Sequence, residues 1–218
     1  MEKIIIYGSG HHSELCHHYI DQDPKYEVIA FTVKKEYLSA DKLLGLPVIP
    51  FENLPKKYAP EENKLFIAIG PQRLNCAREE IYLESKNMGY KLINCISPQA
   101  FLFPDLPIGD NVFIDPGTGL HPFVQVGNNV SLIDSSIGHH CKIGDNVFIS
   151  SSIIGGNATI ENNVFIGLNS VIKENTRIGK GSIIGMGSII KQDVPEYSVF
   201  SPAGTKMRAI DARKVSLF

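Results

Sequence analysis

From about Ile96 to Pro195 the chain repeats in sixes. The units include Ile108-Gly-Asp-Asn-Val-Phe, Ile160-Glu-Asn-Asn-Val-Phe, Ile166-Gly-Leu-Asn-Ser-Val, Ile178-Gly-Lys-Gly-Ser-Ile and Ile184-Gly-Met-Gly-Ser-Ile. An aliphatic residue opens each unit, a small or β-branched residue follows four later, and Gly, Asn and Asp fill the spaces between. A period of six with turn residues inside every unit fits neither an amphipathic helix nor a hairpin sheet. It is the signature of a parallel β-helix, in which three short strands close one triangular coil.

The openers fall at 96, 102, 108, 114, 120, 126 and 132, then 137, 143 and 149, then every sixth residue from 154 to 190. Two steps, 132 to 137 and 149 to 154, are five residues rather than six, and they lie one coil apart at the same corner. A scaffold that breaks its rule twice in one place is expected to make room for something. Ile137-Gly138-His139-His140-Cys141 keeps the hexad, so Ile137 and Cys141 point inward and both histidines occupy outward turn positions. One coil on, Ile154 stacks on Ile137, which sets Gly156 beside His139, because neighbouring strands lie about 4.8 Å apart. A general base beside an unencumbered N–H is what attack on a carbonyl requires. The bland alternative is a solvated turn histidine. Leu168 and Met186 are likewise one coil apart, either as apolar surface buried between subunits or as a slot for a long, thin ligand.

Ahead of the ladder, Ile4-Ile5-Ile6-Tyr7 reads as a buried strand ended by Gly8-Ser9-Gly10, with a helix following at Ser13-Glu14-Leu15. Further strands are expected at 26–32, 65–70 and 91–96, with a helix from Arg78 to Lys86. Strands alternating with helices indicate a small Rossmann-like parallel α/β sheet, whose ligand sits beyond the carboxyl ends of the strands. Those ends are the loops at Gly8–His11 and Gly70–Arg73. The Gly8-Ser9-Gly10 turn can offer backbone N–H groups to a phosphate, or be only a tight strand-to-helix turn. A full GxGxxG is absent, since Ser13 stands where its last glycine belongs, which argues against a dinucleotide. His11, His12, Cys16, His17 and His18 tempt a metal reading, but no four ligands converge, so exposed helix histidines are expected and no metal is required.

The formal net charge of the 218-residue chain is −2, so neither a nucleic-acid stripe nor an acidic arm is indicated. No apolar run is long enough for membrane insertion, and the N-terminal run is too short for a signal peptide. Cys16, Cys76, Cys95 and Cys141 share no CxxC spacing and read as reduced thiols of a cytoplasmic protein. The expected organisation is a nucleotide-sugar-binding α/β domain over 1–95, a β-helix over 96–195 and a tail over 196–218.

Across essentially its whole length the chain resembles the sugar acyltransferases typified by bacillosamine-pathway N-acetyltransferases and sialic-acid O-acetyltransferase-like proteins. The likeness is carried by Tyr7-Gly8-Ser9-Gly10-His11, Gly45-Leu46-Pro47-Val48, Ala68-Ile69-Gly70, Gly89-Tyr90, His139, Gly156-Asn157, Ile166-Gly167 and Pro202-Ala203. The resemblance implies a left-handed β-helix, a homotrimer, and acetyl-CoA as co-substrate in the groove between neighbouring prisms. It implies His139 as catalytic base and Gly156 as oxyanion donor. Ser9, Gly10, His11 and Gly70 match the nucleotide-sugar loops, and Leu168 and Met186 match acetyl-CoA contacts. The chain also departs from the pattern. His140 stands where an acidic partner of the base is usual, leaving Asp134 as the candidate orienting carboxylate. Phe148 replaces a second histidine on the acetyl-CoA side, and Thr32-Val33-Lys34 replaces an Asp-Asp pair. The ending is altered to Ser201-Pro202-Ala203-Gly204-Thr205-Lys206.

The implied activity is acetyl-CoA-dependent N-acetylation of a nucleotide-linked amino-deoxysugar, in cell-surface polysaccharide biosynthesis. O-acetylation of a sugar or sialic acid is the near variant. Two readings from other classes stay open: a non-catalytic nucleotide-sugar-binding module, and a γ-carbonic-anhydrase-like hydratase. The second needs three histidines on zinc. The ladder offers His121, His139 and His140 without the His-x4-His spacing, and His121 stacks on Gly138.

Overall fold

The computed structural model describes residues 1–205 and 209. Six strands form the N-terminal sheet: β1 (Glu2–Tyr7), β2 (Tyr26–Val33), β3 (Lys42–Leu43), β4 (Leu46–Pro50), β5 (Asn63–Ile67) and β6 (Lys91–Leu92). Their order is β3-β4-β2-β1-β5-β6, all parallel except the β3–β4 hairpin. Strand β1 is central because Ile4, Ile5 and Ile6 are buried completely, leaving no polar face for solvent. Its partners β2 and β5 lie on opposite sides, so the strand order reverses at β1, where an α/β sheet opens a crevice. Helices α1 (His11–Ile20) and α3 (Cys76–Asn87) pack on the sheet, with the short α2 (Leu54–Lys57) between them in the chain.

The expected strand over 91–96 divides in two. Lys91–Leu92 pairs with β5, whereas Cys95–Ile96 pairs with Phe113–Ile114 and begins the β-helix. The turn between them thus hands the chain from one sheet to the other. The β-helix has three parallel faces. The first carries Ser136–Ile137, Ile153–Ile154, Val171–Ile172 and Ile189–Ile190; the second carries Lys142–Ile143 and Thr159–Ile160; the third carries Ser131–Ile133 and Phe148–Ser150. Openers from Ile114 to Ile190 fill the interior, joined by the small residues four positions later, including Val130, Cys141, Val147, Ala158 and Val164. Turn asparagines 111, 129, 146, 157, 163, 169 and 175 all adopt positive φ, the left-handed conformation that asparagine tolerates best among side-chain-bearing residues. Among the described residues, no helix is long and apolar enough to cross a membrane, and all four cysteines are free. Val199–Phe200 extends the third face by pairing with Ile183–Ile184. Within the expected tail over 196–218, residues 206–208 and 210–218, Lys206 included, lie outside the described residues.

Helix α3 fixes the sheet to the third face. Arg78 is fully buried there and donates to Ser131 Oγ (2.9 Å), the Val147 carbonyl (3.1 Å) and Asn75 Oδ1 (3.3 Å). Its guanidinium lies 5.8 Å from the Phe148 ring centroid. Burial lowers the Arg78 pKa to about 9, so the group stays cationic at neutral pH. Asn111 adds a second tie, accepting from the Ile67 N–H at 2.7 Å and donating to Asn129 in turn. Arg78→Ala strips three hydrogen bonds from buried acceptors and opens a cavity beneath α3. We expect a loss of about 3 kcal/mol in stability, measured by urea unfolding; an unchanged midpoint contradicts this account of the docking.

Candidate active site

Two sites emerge, one on each unit. On the N-terminal sheet, a cleft of about 670 Å³ opens at the strand ends, lined by Gly8, Ser9, Gly10 and His11 on one side and Gly70 and Arg73 on the other. Lys34 and Tyr37 close it at the end of β2. Gly8 has φ +133, and a Cβ there would stand 2.7 Å from the Ala68 carbonyl oxygen, so only glycine fits. Gly10 differs: its φ is −104, and nothing lies within 4 Å of the Cβ position. Its carbonyl accepts from Ser13 Oγ (2.7 Å) and the Ser13 N–H (2.9 Å), closing the first turn of α1. Ser9, Gly10 and His11 are exposed and face Gly70 across the cleft. Arg73, Leu74 and Asn75 then take three consecutive left-handed conformations at the cleft mouth, a strained run ending at the start of α3.

The histidine-rich helix holds no metal cluster: among the described residues, no three His, Cys, Asp or Glu side chains converge. His12 Nε2 lies 3.8 Å from Cys16 Sγ, and its ring meets Phe113 edge-on at 5.2 Å. Desolvation, with a smaller contribution from Arg78, lowers the His12 pKa to about 4.

On the β-helix, Ile137 pairs with Ile154, and His139 therefore faces Gly156 on the next coil. A Cβ on Gly156 would lie 2.8 Å from both Cε1 and Nε2 of His139, so the imidazole occupies the space glycine leaves. Among the described residues the Gly156 N–H donates to no backbone carbonyl, while the His139 carbonyl accepts from the Asn157 N–H at 2.7 Å. His139 Nδ1 lies 3.1 Å from His140 Nδ1, which requires one ring to donate and the other to accept. Both histidines are exposed, whereas Ile137 and Cys141 are fully buried.

Two expected site residues fall elsewhere. Asp134 does not orient His139. It sits at the opposite end of strand Ser136–Ile137, where its N–H donates to Asp115 Oδ1 (2.8 Å) and its carboxylate accepts from Ser151 Oγ (3.4 Å). The shortened steps therefore shape the corner before the first face, and the histidines stand at the corner after it. Phe148 does not lie on an open coenzyme surface. It is buried on the third face, stacked on Phe165 at 5.7 Å beneath Arg78. Leu168 and Met186 do align, 45% and 63% exposed, at the Asp134 corner. Within one chain the width of the first face separates them from His139. His121 is level with Gly138, and its N–H donates to the Ile137 carbonyl at 3.0 Å.

Residues 3–84 match the PglD N-terminal domain, and residues 95–192 match the GMPPB C-terminal domain. Perosamine N-acetyltransferase from Caulobacter crescentus, a mutant solved with CoA and GDP-perosamine, superposes with a TM-score of 0.83 at 22% identity, covering 94% of this chain and 97% of its own. The acetyltransferase domain of PglB from Neisseria gonorrhoeae superposes with a TM-score of 0.80 at 23% identity, covering 91% and 96%. WeeI from Acinetobacter baumannii gives 0.61 at 22%, covering 90% and 94%. The chain has the fold of these proteins. The Rossmann-like sheet followed by a parallel β-helix is common to the set, and the likeness spans both units rather than the β-helix alone.

Of the residues that line the two sites, Tyr37 and Phe123 carried no sequence signal. Tyr37 ends a one-turn 3-10 helix, Lys35–Tyr37, outside any repeat, and Phe123 occupies a hexad turn position where Asn is usual. A pH prediction follows from His12. Its pKa is depressed from 6.5 to about 4, so on acidification the unfolded chain takes up the proton first. Stability present above pH 6.5 should drain away between pH 6.5 and 4, and His12→Gln should flatten that part of the profile. Thermal melts of both proteins across this range provide the check; parallel profiles would show that the fold does not hold His12 neutral.

Proposed function

We propose that the protein transfers acetyl from acetyl-CoA to the amino group of a nucleotide-linked amino-deoxysugar. The observation that carries this reading is the juxtaposition of His139 Nε2 with the open backbone at Gly156. His139 takes the proton from the amine as it attacks the thioester carbonyl. The Gly156 N–H donates to the developing oxyanion, a contact worth about 3 kcal/mol where one donor has been removed. The C–S bond breaks, and the leaving thiolate takes up the proton held by His139 and departs as free CoA. The N-terminal cleft holds the nucleotide through Ser9, Gly10, His11 and Gly70, so its binding energy positions the sugar amine at the second site.

The separation of His139 from Leu168 and Met186 supports assembly as a homotrimer. A groove between neighbouring prisms sets one chain's histidine corner against the next chain's Leu168–Met186 corner, and acetyl-CoA lies along it. The first face favours such packing, because Ile153, Val171 and Ile189 form an outward apolar stripe, 57%, 39% and 67% exposed. In this reading the α/β unit over about 1–95 selects the sugar nucleotide and the β-helix over about 96–195 does the chemistry. The setting is a cytoplasmic step that supplies acylated sugars to cell-surface polysaccharide.

Free-thiol release from acetyl-CoA, over UDP-, dTDP- and GDP-linked 3-amino and 4-amino deoxysugars, tests the reading; silence across the panel overturns it. His139→Ala should lower turnover by about 100-fold or more and leave acetyl-CoA binding near normal. Gly10→Val tests the cleft separately. Its backbone suits any residue and the Cβ position is open, so the variant should fold while the added branches fill the cleft. Titration calorimetry should show weakened nucleotide-sugar binding and unchanged acetyl-CoA binding. Wild-type sugar affinity in that variant would move the substrate out of this cleft.

A further inference from the structure

We propose that Phe123 is a positioning residue whose ring holds the His140 imidazole so that His140 Nδ1 accepts a hydrogen bond from the His139 Nδ1–H. That arrangement leaves His139 Nε2 as the bare, basic nitrogen beside Gly156. Its consequence for turnover rests on the acetyl-transfer reading; its geometry does not.

The argument begins with the left-handed turn positions stacked along this corner: Phe123 (φ 68), His140 (φ 60), Asn157 (φ 61) and Asn175 (φ 58). The upper two are asparagines joined amide to amide at 2.7 Å. Another corner shows the same solution, with Asn111, Asn129 and Asn146 linked at 2.7 and 2.8 Å. Asparagine is therefore this fold's ordinary occupant of the position, and the lower two sites of the His139 corner abandon it for rings. A bulky aromatic side chain at positive φ is an outlier that persists where something else depends on it. Burial within its own chain does not explain Phe123, which remains 65% exposed there. Its contact does: the ring centroid lies 4.6 Å from that of His140. The His140 N–H also donates to the Pro122 carbonyl at 3.0 Å, so the two turns form one hydrogen-bonded unit. A continuous series of contacts then runs from Phe123 to His140, from His140 Nδ1 to His139 Nδ1 at 3.1 Å, and from the His139 ring to Gly156.

The chemistry supplies the reason a clamp is needed. A carboxylate partner offers two equivalent oxygens and accepts from a histidine in either flip. A neutral imidazole has a single acceptor nitrogen, so it serves the same purpose only when its ring is held in one orientation. Asp134, the remaining carboxylate candidate, lies at the opposite end of the strand. Phe123 and His140 together thus do the work of one acidic side chain.

Long-range ¹H–¹⁵N correlation spectra of the full-length protein read the tautomers directly. Wild type should show His139 protonated at Nδ1 and His140 at Nε2. Phe123→Asn puts the fold's ordinary turn residue at this position and relieves the unfavourable backbone, so it should melt at or above the wild-type temperature. Its His139 signal should become a tautomer mixture, and kcat should fall roughly tenfold, a part of what a general base contributes, with both KM values unchanged. Phe123→Tyr should restore the wild-type tautomer and rate. A wild-type His139 protonated at Nε2 overturns the proposal. So does a Phe123→Asn variant with wild-type tautomer and kcat, or a defect confined to the sugar KM, which would place the ring against substrate. The tautomer spectra decide the matter even if the panel of amino sugars gives no turnover, in which case the acetyl-transfer reading fails separately.

Discussion

The parallel backbone hydrogen bonds between successive coils are the constraint on which the site depends. Gly138 N–H donates to the Ile154 carbonyl, Gly155 N–H to the Ile172 carbonyl, and the pattern continues from coil to coil. These bonds lock rungs about 4.8 Å apart, so residues seventeen positions apart in sequence become permanent neighbours. His139 and Gly156 owe their contact to that register and to nothing local. Shifting the pairing by one residue would turn the openers outward and bring Asn157 against the imidazole. The buried column of isoleucines and valines makes such a slip costly, and the hydrophobic interior thereby holds the polar corner in place.

Much of this was legible because the β-helix writes its geometry into the sequence. Each opener is an aliphatic residue facing the axis, so stacking can be counted off from Ile137 and Ile154 without coordinates. The Gly8 turn and the Gly70 loop were readable for a similar reason, since strands with an all-apolar centre such as β1 leave their carboxyl ends as the ligand side. What the sequence concealed lies where the pattern is mute. Arg78 looks like any basic residue of a polar helix, yet it is buried, because the third face that covers it is far away in the chain. That same docking makes Phe148 a packing residue. A shortened step marks a position along the chain but not which end of the following strand the distortion serves, so the sequence alone does not separate the Asp134 corner from the His139 corner. The run from Lys91 to Ile96 reads as one strand because both halves are apolar, although the chain turns between them to leave one sheet for another.

In the proposed reading the two units divide the labour in a way their chemistry suits. The cleft at the sheet offers backbone groups on glycine-rich turns beside charged side chains such as Lys34 and Arg73, which suit recognition of a ligand. The histidine corner offers a base and an N–H on a rigid prism, where a small displacement of either group would cost rate. Joining them in one chain lets binding at the first raise the effective concentration of the amine at the second. The proposed reading has a partner copy complete a coenzyme groove, and the apolar stripe on the first face and the separation of His139 from Leu168 support it.

The most direct test is a crystal structure with CoA and a nucleotide amino-deoxysugar bound together. The account predicts the sugar amine about 3 Å from His139 Nε2, and the CoA sulfur on the Gly156 side of the imidazole, with its pantetheine arm against Leu168 and Met186 of a neighbouring chain. An amine lying away from His139, or a CoA sulfur on the far side of the first face from Gly156, would contradict it.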